Sequence, residues 1–207
     1  MKKDEQDYIK DIAEIRSMME RSSKFLSLSG WAGIMAGIFA LAGAWLAYSG
    51  LYFNPDELVY RLPGNPISGL LQLVLLALGI LILAIGTAVY LSFKKAGING
   101  EKLWNPTARR LVIAMAVPLI AGGIFILILI SHGLTGLMAP CSLIFYGIAL
   151  VNAGRYTFKE LKTLGLIQIV LGLLGAWFIG YGLLFWALGF GIFHIIYGIY
   201  MHFKYEQ

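Results

Sequence analysis

Cysteine and charge are both scarce in this sequence of 207 residues. A single cysteine, Cys141, excludes a disulfide framework within one chain. Charged residues make up 13% of the chain and hydrophobic residues 59%, whereas soluble domains have roughly 25% and 45–50%. So little polar surface cannot cover a soluble core, and lipid must therefore be part of the solvent of this protein.

Four stretches of the sequence contain no charged residue, and they predict the membrane spans. These stretches are 25–55, 62–93, 111–154 and 163–203. A helix needs roughly 20 residues to cross a hydrocarbon core of about 30 Å, so the last two stretches, 44 and 41 residues long, must hold two spans each. Turns near 131–136 and 180–182 divide them. The predicted fold is all-α, an integral membrane bundle of six transmembrane helices near 30–49, 68–92, 109–131, 135–153, 163–180 and 183–203.

The basic residues predict the orientation of the bundle. Six lie in residues 1–24, five in 94–110 and three in 155–162, and Lys204 is the fifteenth of 16. All of these fall on one side of a six-span topology, and only Arg61 falls on the other. Because basic residues collect on the cytoplasmic side, we expect a multi-pass protein of a bacterial inner membrane with both termini in the cytoplasm. This distribution explains the net charge without a nucleic-acid partner.

The six spans pair into three helical hairpins that share short phrases. Each hairpin ends on Phe-Lys, at 93–94, 158–159 and 203–204. Spans 1 and 5 share Gly-Ala-Trp at 43–45 and 175–177, and spans 4 and 6 share Tyr-Gly-Ile at 146–148 and 197–199. These matches predict three parallel copies of one hairpin, and chance similarity between low-complexity membrane sequences is the alternative. Parallel copies would differ from the inverted repeats of many transporters.

Three uncharged, Gly-rich hairpins resemble the HdeD-type acid-resistance membrane proteins. The phrases that carry the resemblance are Leu171-Gly172-Leu173-Leu174-Gly175 and Ile196-Tyr197-Gly198-Ile199. The resemblance is strongest over residues 160–203, and the chain is also similar to uncharacterised bacterial inner-membrane proteins. It implies a cell-envelope or stress role and brings no catalytic motif, and the N-terminal extension of this chain departs from it.

Acidic residues and lysines are missing from the interior of every predicted span. Their absence argues against a carboxylate proton relay, a carboxylate ion site and a retinal-type Schiff base. The three histidines lie at different depths, which argues against a bis-His haem and a metal site. Cys141 lies nearer the outer surface than His194 and so has no base within reach. We predict a protein that is not an enzyme, with no catalytic residue, no metal and no cofactor.

A few polar side chains remain as candidates for lining a ligand site or cavity. They are Asn152, His194, Tyr146, Tyr197, Gln72 and Gln168. We expect His194, which shares a helix face with Tyr197, to be buried and hydrogen-bonded to a neighbouring helix. A ligand-binding or pH-sensing role is the alternative. Arg109, Arg110 and Arg155 are predicted to reach the lipid headgroups at the membrane interface.

Small residues recur at helical spacing along spans 1, 5 and 6. They include Gly30, Gly37, Gly165, Gly172 and Gly198. Small residues let membrane helices approach closely, and this packing replaces the hydrophobic effect as the driver of association. We expect these glycines to pack the spans of one chain together. Contact between copies in a homo-oligomer is the alternative.

Residues 1–24 form a cytoplasmic segment that precedes the transmembrane domain of residues 25–207. The apolar spacing over 5–24 predicts an amphipathic helix. The six basic and six acidic residues of 1–24 cancel, so this is not a cationic helix that seeks anionic lipid. It is expected to fold against the membrane or the bundle, and binding a protein partner is the alternative.

Two functions are consistent with these features. The first is a non-enzymatic membrane protein, structural or stress-linked, that binds a protein partner or lipid. The second is a channel or transporter for a small neutral or amphipathic solute.

Overall fold

A computed structural model of the chain describes residues 29–50, 69–98, 100 and 104–206, together with Ile12. Every regular element among these residues is helical, and six helices are long and apolar enough to cross a membrane. The predicted all-α, six-helix membrane fold is therefore confirmed. The predicted amphipathic helix over 5–24 lies outside the described residues.

The six helices follow one another with short connections. They are α1 (Gly30–Ser49), α2 (Leu70–Ile98), α3 (Pro106–Ser131), α4 (Met138–Ala153), α5 (Glu160–Trp177) and α6, which consists of Gly182–Trp186, a π-helical segment Ala187–Phe193, and His194–Tyr205. Single 3-10 turns at Thr135–Leu137 and Ile179–Tyr181 lead into α4 and α6. The two tight turns that the sequence predicts near 131–136 and 180–182 thus separate α3 from α4 and α5 from α6.

Several helices extend beyond their predicted ends. α2 continues past the charged Lys94 and Lys95 to Ile98. α3 begins three residues before its predicted start, because the Asn105 side chain accepts a hydrogen bond of 2.8 Å from the Ala108 amide and Pro106 occupies the first helical position. The charge-free stretches thus predict the apolar part of each helix, whereas the helices themselves continue beyond it.

The packing joins the helices in an open series. α2 packs on α1, α1 on α6, α6 on α4 and α5, α4 on α5, and α3 on α4. A buried apolar cluster lies between α3, α4 and α5 and consists of Ala108, Leu111, Leu150, Ala153, Leu161 and Leu164. Large apolar side chains on the outer faces of α2 and α3 are exposed, as expected for helices in contact with lipid.

Charged residues join several helix ends at one end of the bundle. The Glu206 carboxylate accepts hydrogen bonds from the Gly30 amide at 2.9 Å, from Lys95 Nζ at 2.9 Å and from His202 Nδ1 at 2.7 Å. Partial burial would raise the pKa of the Glu206 carboxyl, but the bonds from His202, Lys95 and the Gly30 amide outweigh it and lower the pKa to about 2. Glu206 therefore ties the start of α1 to the ends of α2 and α6.

A second charged contact lies at the same end of the bundle. Lys204, near the end of α6, forms an ion pair with Glu160 at the start of α5. The hydroxyl of Tyr205 donates to the same carboxylate at 3.0 Å. The starts of α1 and α5 and the ends of α2 and α6 thus lie on one side, as a six-span topology requires. We call this side the charged end.

Candidate functional site

Three polar side chains from three helices meet inside the bundle. Tyr146 of α4 lies 3.0 Å from His194 of α6, hydroxyl oxygen to Nε2. His194 Nδ1 lies 2.9 Å from the carbonyl oxygen of Gly189, and Gln168 Nε2 of α5 donates to the same oxygen at 2.7 Å. Gln168 is fully buried, and His194 is 5% exposed. We call Tyr146, Gln168, Gly189 and His194 the polar cluster.

The π-helical segment of α6 sets the geometry of this cluster. Gly189 lies within the segment and His194 follows directly after it. In a π-helix the backbone pairs residues five apart, and here the His194 side chain reaches the carbonyl of the residue five positions earlier. Segments of this kind are rare and frequent at functional sites. The wider turn thus places a backbone acceptor beside an imidazole in the interior of the bundle.

The hydrogen-bond partners determine the tautomer of His194. Nδ1 faces a carbonyl oxygen, which can only accept, so Nδ1 carries the proton. In the neutral imidazole, Nε2 is then the acceptor for the Tyr146 hydroxyl. Gln168 Nε2 lies 3.3 Å from Nδ1, but both are donors that share the oxygen of Gly189. The arrangement uses every polar atom of the His194 side chain.

One polar atom of the cluster lacks a conventional partner. Gln168 Oε1 is buried and accepts no hydrogen bond from the described residues. A Cβ on Gly189 would overlap this atom, which means that a Cα hydrogen of Gly189 points at it instead. Such a Cα–H···O contact is a weak hydrogen bond. Gly189 thus serves the Gln168 side chain twice, as an acceptor for Nε2 and as a weak donor to Oε1.

Aromatic rings enclose the histidine on the α6 side. The ring of Phe190 stacks on His194 with centroids 5.8 Å apart and an interplanar angle of 14°. Phe190 also contacts Tyr146 at 4.9 Å and Trp186 at 5.1 Å, centroid to centroid. These rings surround the imidazole with apolar surface, and its hydrogen bonds to Tyr146 and Gly189 are correspondingly strong.

The chemistry available to the cluster is that of hydrogen bonding. Its side chains are a phenol, an amide and a neutral imidazole, and no carboxylate, thiol or ammonium group is part of it. Within the described ranges no group of three or more His, Cys, Asp or Glu side chains could hold a metal ion. The arrangement links α4, α5 and α6 across the middle of the bundle.

Comparison with protein-family models, with curated proteins and with solved structures finds no match. The relation to HdeD-type proteins therefore stays a prediction from the sequence.

The other candidate residues lie outside this cluster. Gln72 is exposed near the start of α2, and Asn152 is half-buried one residue before the end of α4. Tyr197 packs, like Tyr146, against the apolar cluster between α3, α4 and α5. The imidazole of His194 is hydrogen-bonded to Tyr146 of α4. Tyr197, which lies on the same helix as His194, contacts the apolar cluster instead.

The predicted interface residues lie near helix ends. Arg109 and Arg110, in the first turns of α3, and Arg155, just after α4, are all exposed. These positions suit contact with headgroups.

The π-helix and its Gly189 carbonyl are not among the candidates that the sequence provides. The signal that precedes His194 is the close pair Gly189 and Gly191, and two glycines by themselves do not distinguish a π-helix from ordinary close packing.

Proposed function

We propose that this protein is a non-enzymatic integral protein of a bacterial inner membrane, with a structural or binding role. The observation that supports this proposal best is the polar cluster. The Tyr146 hydroxyl, the Gln168 amide and the His194 imidazole are bound to one another and to one backbone carbonyl. Polar groups engaged in this way hold membrane helices together.

The nature of the cluster also argues against catalysis. An acid–base or nucleophilic site needs a titratable group or nucleophile in reach of a substrate. In the polar cluster both imidazole nitrogens are already engaged, and His194 is 5% exposed. The polar cluster has the form of a structural hydrogen-bond network between helices. The exposed apolar faces of α2 and α3 require an apolar surrounding.

The charged end supports a cytoplasmic location for this side of the bundle. Lys94, Lys95, Lys159, Lys162 and Lys204 all lie at helix ends there. By the rule that basic residues remain in the cytoplasm, both termini would be cytoplasmic. Attachment of a reporter enzyme, active only in the cytoplasm, to the C-terminus tests this; activity only of a periplasm-specific reporter there would overturn the orientation.

A solute channel or transporter is the second candidate function. The observation in its favour is the π-helix beside His194, together with the buried Gln168 Oε1 that has no conventional hydrogen-bond donor among the described residues. A polar solute with an O–H or N–H group would supply such a donor. The closed set of hydrogen bonds between Tyr146, His194 and Gly189 favours the first function over this one.

Solute flux into proteoliposomes distinguishes the two functions. For a structural protein, uptake of neutral solutes, amino acids and lysolipids should equal that of empty liposomes. Saturable uptake by the wild type that is lost in Gln168→Leu, with Tyr181→Phe as a control on an exposed side chain, would support the channel and overturn the first proposal. Solutes of several different sizes should be tested, so that the result does not depend on one compound.

A protein partner would bind through residues 5–24, the predicted amphipathic helix. Capture experiments with the intact protein and with a variant lacking residues 1–24 test this role. An interactor that is captured only with the intact protein would support this role; identical interactors for both forms would contradict it. The stress-linked role depends on the resemblance to HdeD-type proteins, and growth of a deletion strain in acid is its test.

A further inference from the structure

The two Gly-rich helix pairs of the bundle, α1 with α6 and α4 with α5, are built on one residue pattern. The pattern is a small residue, three residues, isoleucine, two residues and a glycine. It occurs at Gly30, Ile34 and Gly37 in α1, at Gly165, Ile169 and Gly172 in α5, and at Gly191, Ile195 and Gly198 in α6. In α4 it is Pro140, Ile144 and Gly147, with proline in the first place.

The last glycines of α6 and α4 make equivalent contacts. A Cβ on Gly198 would lie 2.6 Å from the carbonyl oxygen of Gly30, and a Cβ on Gly147 would lie 2.6 Å from the carbonyl oxygen of Gly165. In both pairs the backbones touch, because neither glycine has a side chain to hold them apart. The first residue of the pattern in one helix, a glycine or Pro140, thus meets the last glycine in the other.

The remaining positions of the pattern are equivalent as well. A Cβ on Gly37 would lie 2.5 Å from Ile195 Cγ1, and a Cβ on Gly172 would lie 2.6 Å from Ile144 Cγ1. The isoleucine of one helix therefore fits over the last glycine of the other in both pairs. In two separate helix pairs, the pattern on one helix packs residue by residue against the same pattern on the other. We therefore expect a helix face with this pattern to pack against another such face.

The same spacing occurs on two further helices. It is Gly79, Leu83 and Gly86 in α2, and Ala116, Ile120 and Gly123 in α3. Here the central residues are exposed, Leu83 by 55% and Ile120 by 62%. A Cβ on Gly79, Gly86 or Gly123 would meet no atom within 4 Å. In the part of the chain that the structure describes, these two pattern faces have no helix on them.

Both faces point away from the neighbours that α2 and α3 already have. Ile80, which meets Gly43 of α1, is the residue next to Gly79, and Gly122, which meets Phe145 of α4, is next to Gly123. Adjacent residues of a helix are about 100° apart around its axis. Each pattern face is therefore turned well to one side of the formed contact, where another helix has room to pack.

We propose that a second copy of this chain covers these faces, with α2 of each copy packed on α3 of the other. The formed pairs each join a helix that leaves the charged end, α1 or α5, to one that returns, α6 or α4. α3 leaves the charged end and α2 returns to it, so an α2–α3 pair has the same antiparallel sense. One two-fold axis along the membrane normal makes both contacts at once and closes the dimer.

A second copy is favoured over closure within one chain because α2 and α3 have their own packing partners and do not pack extensively on each other. α2 packs on α1 and α3 packs on α4. Each of the two helices differs from the Gly-rich pairs at one position: Leu83 stands where the pattern has isoleucine, and Ala116 stands where α1, α5 and α6 have glycine. The methyl group of Ala116 keeps the two helices slightly further apart at that point. Dimers of this kind would form whether or not the bundle passes a solute.

Isoleucine at the exposed glycines tests the dimer. Gly86→Ile and Gly123→Ile fit a single chain, because both positions face open space, but they fill the surface on which the second copy packs. Leu81→Trp is the matched control, since Leu81 is exposed and lies about 200° around α2 from Gly79. Single-molecule photobleaching of the labelled full chain in lipid bilayers gives the number of copies per particle.

The expected result is two copies for the wild type and for Leu81→Trp, and one copy for either isoleucine variant. A monomeric wild type, or a dimer that survives both isoleucine substitutions together, would overturn the proposal. Circular dichroism of each variant checks that the helices are intact.

Disulfide cross-linking identifies which helices meet. With Cys141→Ser in the background, one tagged copy carries Gly86→Cys and a second, differently tagged copy carries Ala116→Cys. Oxidation in membranes should join the two copies, whereas Leu81→Cys in place of Gly86→Cys should not. When one chain carries both Gly86→Cys and Ala116→Cys, a disulfide formed only within that chain would show α2 on its own α3 and refute the second copy.

Discussion

Gly189→Ala, in the π-helical segment of α6, should destabilise the protein more than alanine at a glycine of α2 that faces open space. A Cβ on Gly189 would overlap Gln168 Oε1 and lie 2.5 Å from Leu143 Cδ2. Both neighbours are fully buried, and Gln168 is already held by its bond to the Gly189 carbonyl. Relief of the overlap must therefore displace that bond. Overpacking typically costs about 1–3 kcal/mol, and an interhelical hydrogen bond in a membrane protein adds about 0.6 kcal/mol.

The sum gives an expected loss of about 1.6–3.6 kcal/mol in the free energy of unfolding. Unfolding by sodium dodecyl sulfate in mixed micelles, followed by circular dichroism, measures it. Gly79→Ala is the control, because it faces open space and should stay within about 0.5 kcal/mol of the wild type. Gln168→Ala should relieve part of the loss in the double variant. Equal stabilities of Gly189→Ala and Gly79→Ala would refute the assigned contact.

Two further substitutions test the hydrogen bonds of the cluster and of the charged end. Tyr146→Phe removes the donor to His194 and should lower the free energy of unfolding by about 0.6–1.7 kcal/mol, whereas Tyr181→Phe, at an exposed side chain, should have no effect in the same assay. Glu206→Gln should cost about 1–2 kcal/mol at pH 7, after allowance for solvent screening. Because the folded-state pKa of Glu206 is lowered from 4.5 to about 2, the wild-type advantage exists above 4.5 and should vanish as the pH falls through about 2; a difference that persists at pH 2 would contradict this.

The six apolar helices could be predicted from the sequence because hydropathy acts over whole helices. The sequence predicts the first span at 30–49, and the helix in the structure is Gly30–Ser49. The ends of other helices depend on local bonds that composition does not reveal. The cap formed by Asn105 starts α3 early, and α2 extends to Ile98 beyond Lys94 and Lys95, which hydropathy treats as its end.

The polar cluster could be predicted only in part. The sequence indicates that Tyr146, Gln168 and His194 are polar residues within spans, but it gives Gln72 the same standing. Tyr146 and His194 are 48 positions apart, so their contact depends on how α4 and α6 pack. The π-helix that places the Gly189 carbonyl has no sequence pattern comparable to a helix cap. Tertiary packing, not local sequence, selects the members of the cluster.

The packing pattern of glycines and isoleucines aligns α1 with α5 in a different register from the predicted hairpin repeat. The shared Gly-Ala-Trp phrase aligns Gly33 with Gly165, whereas the packing makes Gly30 the equivalent of Gly165, three residues away. The phrase reflects composition near the outer ends of spans 1 and 5, and the packing pattern reflects contact. That the chain consists of three copies of one hairpin stays a prediction.

Equal damage from Gly147→Ala and Gly198→Ala is the test of this equivalence. Each Cβ would stand 2.6 Å from a backbone carbonyl oxygen, of Gly165 or Gly30 respectively, and backbone atoms cannot turn aside as a side chain can. The helices must separate, so each variant should lose about 1–3 kcal/mol, and the two losses should agree within about 0.5 kcal/mol. Gly86→Ala, which faces open space in one chain, should leave the unfolding of the monomer unchanged. If Gly198→Ala were neutral while Gly147→Ala were severe, the α1–α6 and α4–α5 pairs would not share one mode of packing, and the reason for expecting α2 and α3 to pair in the same way would be lost.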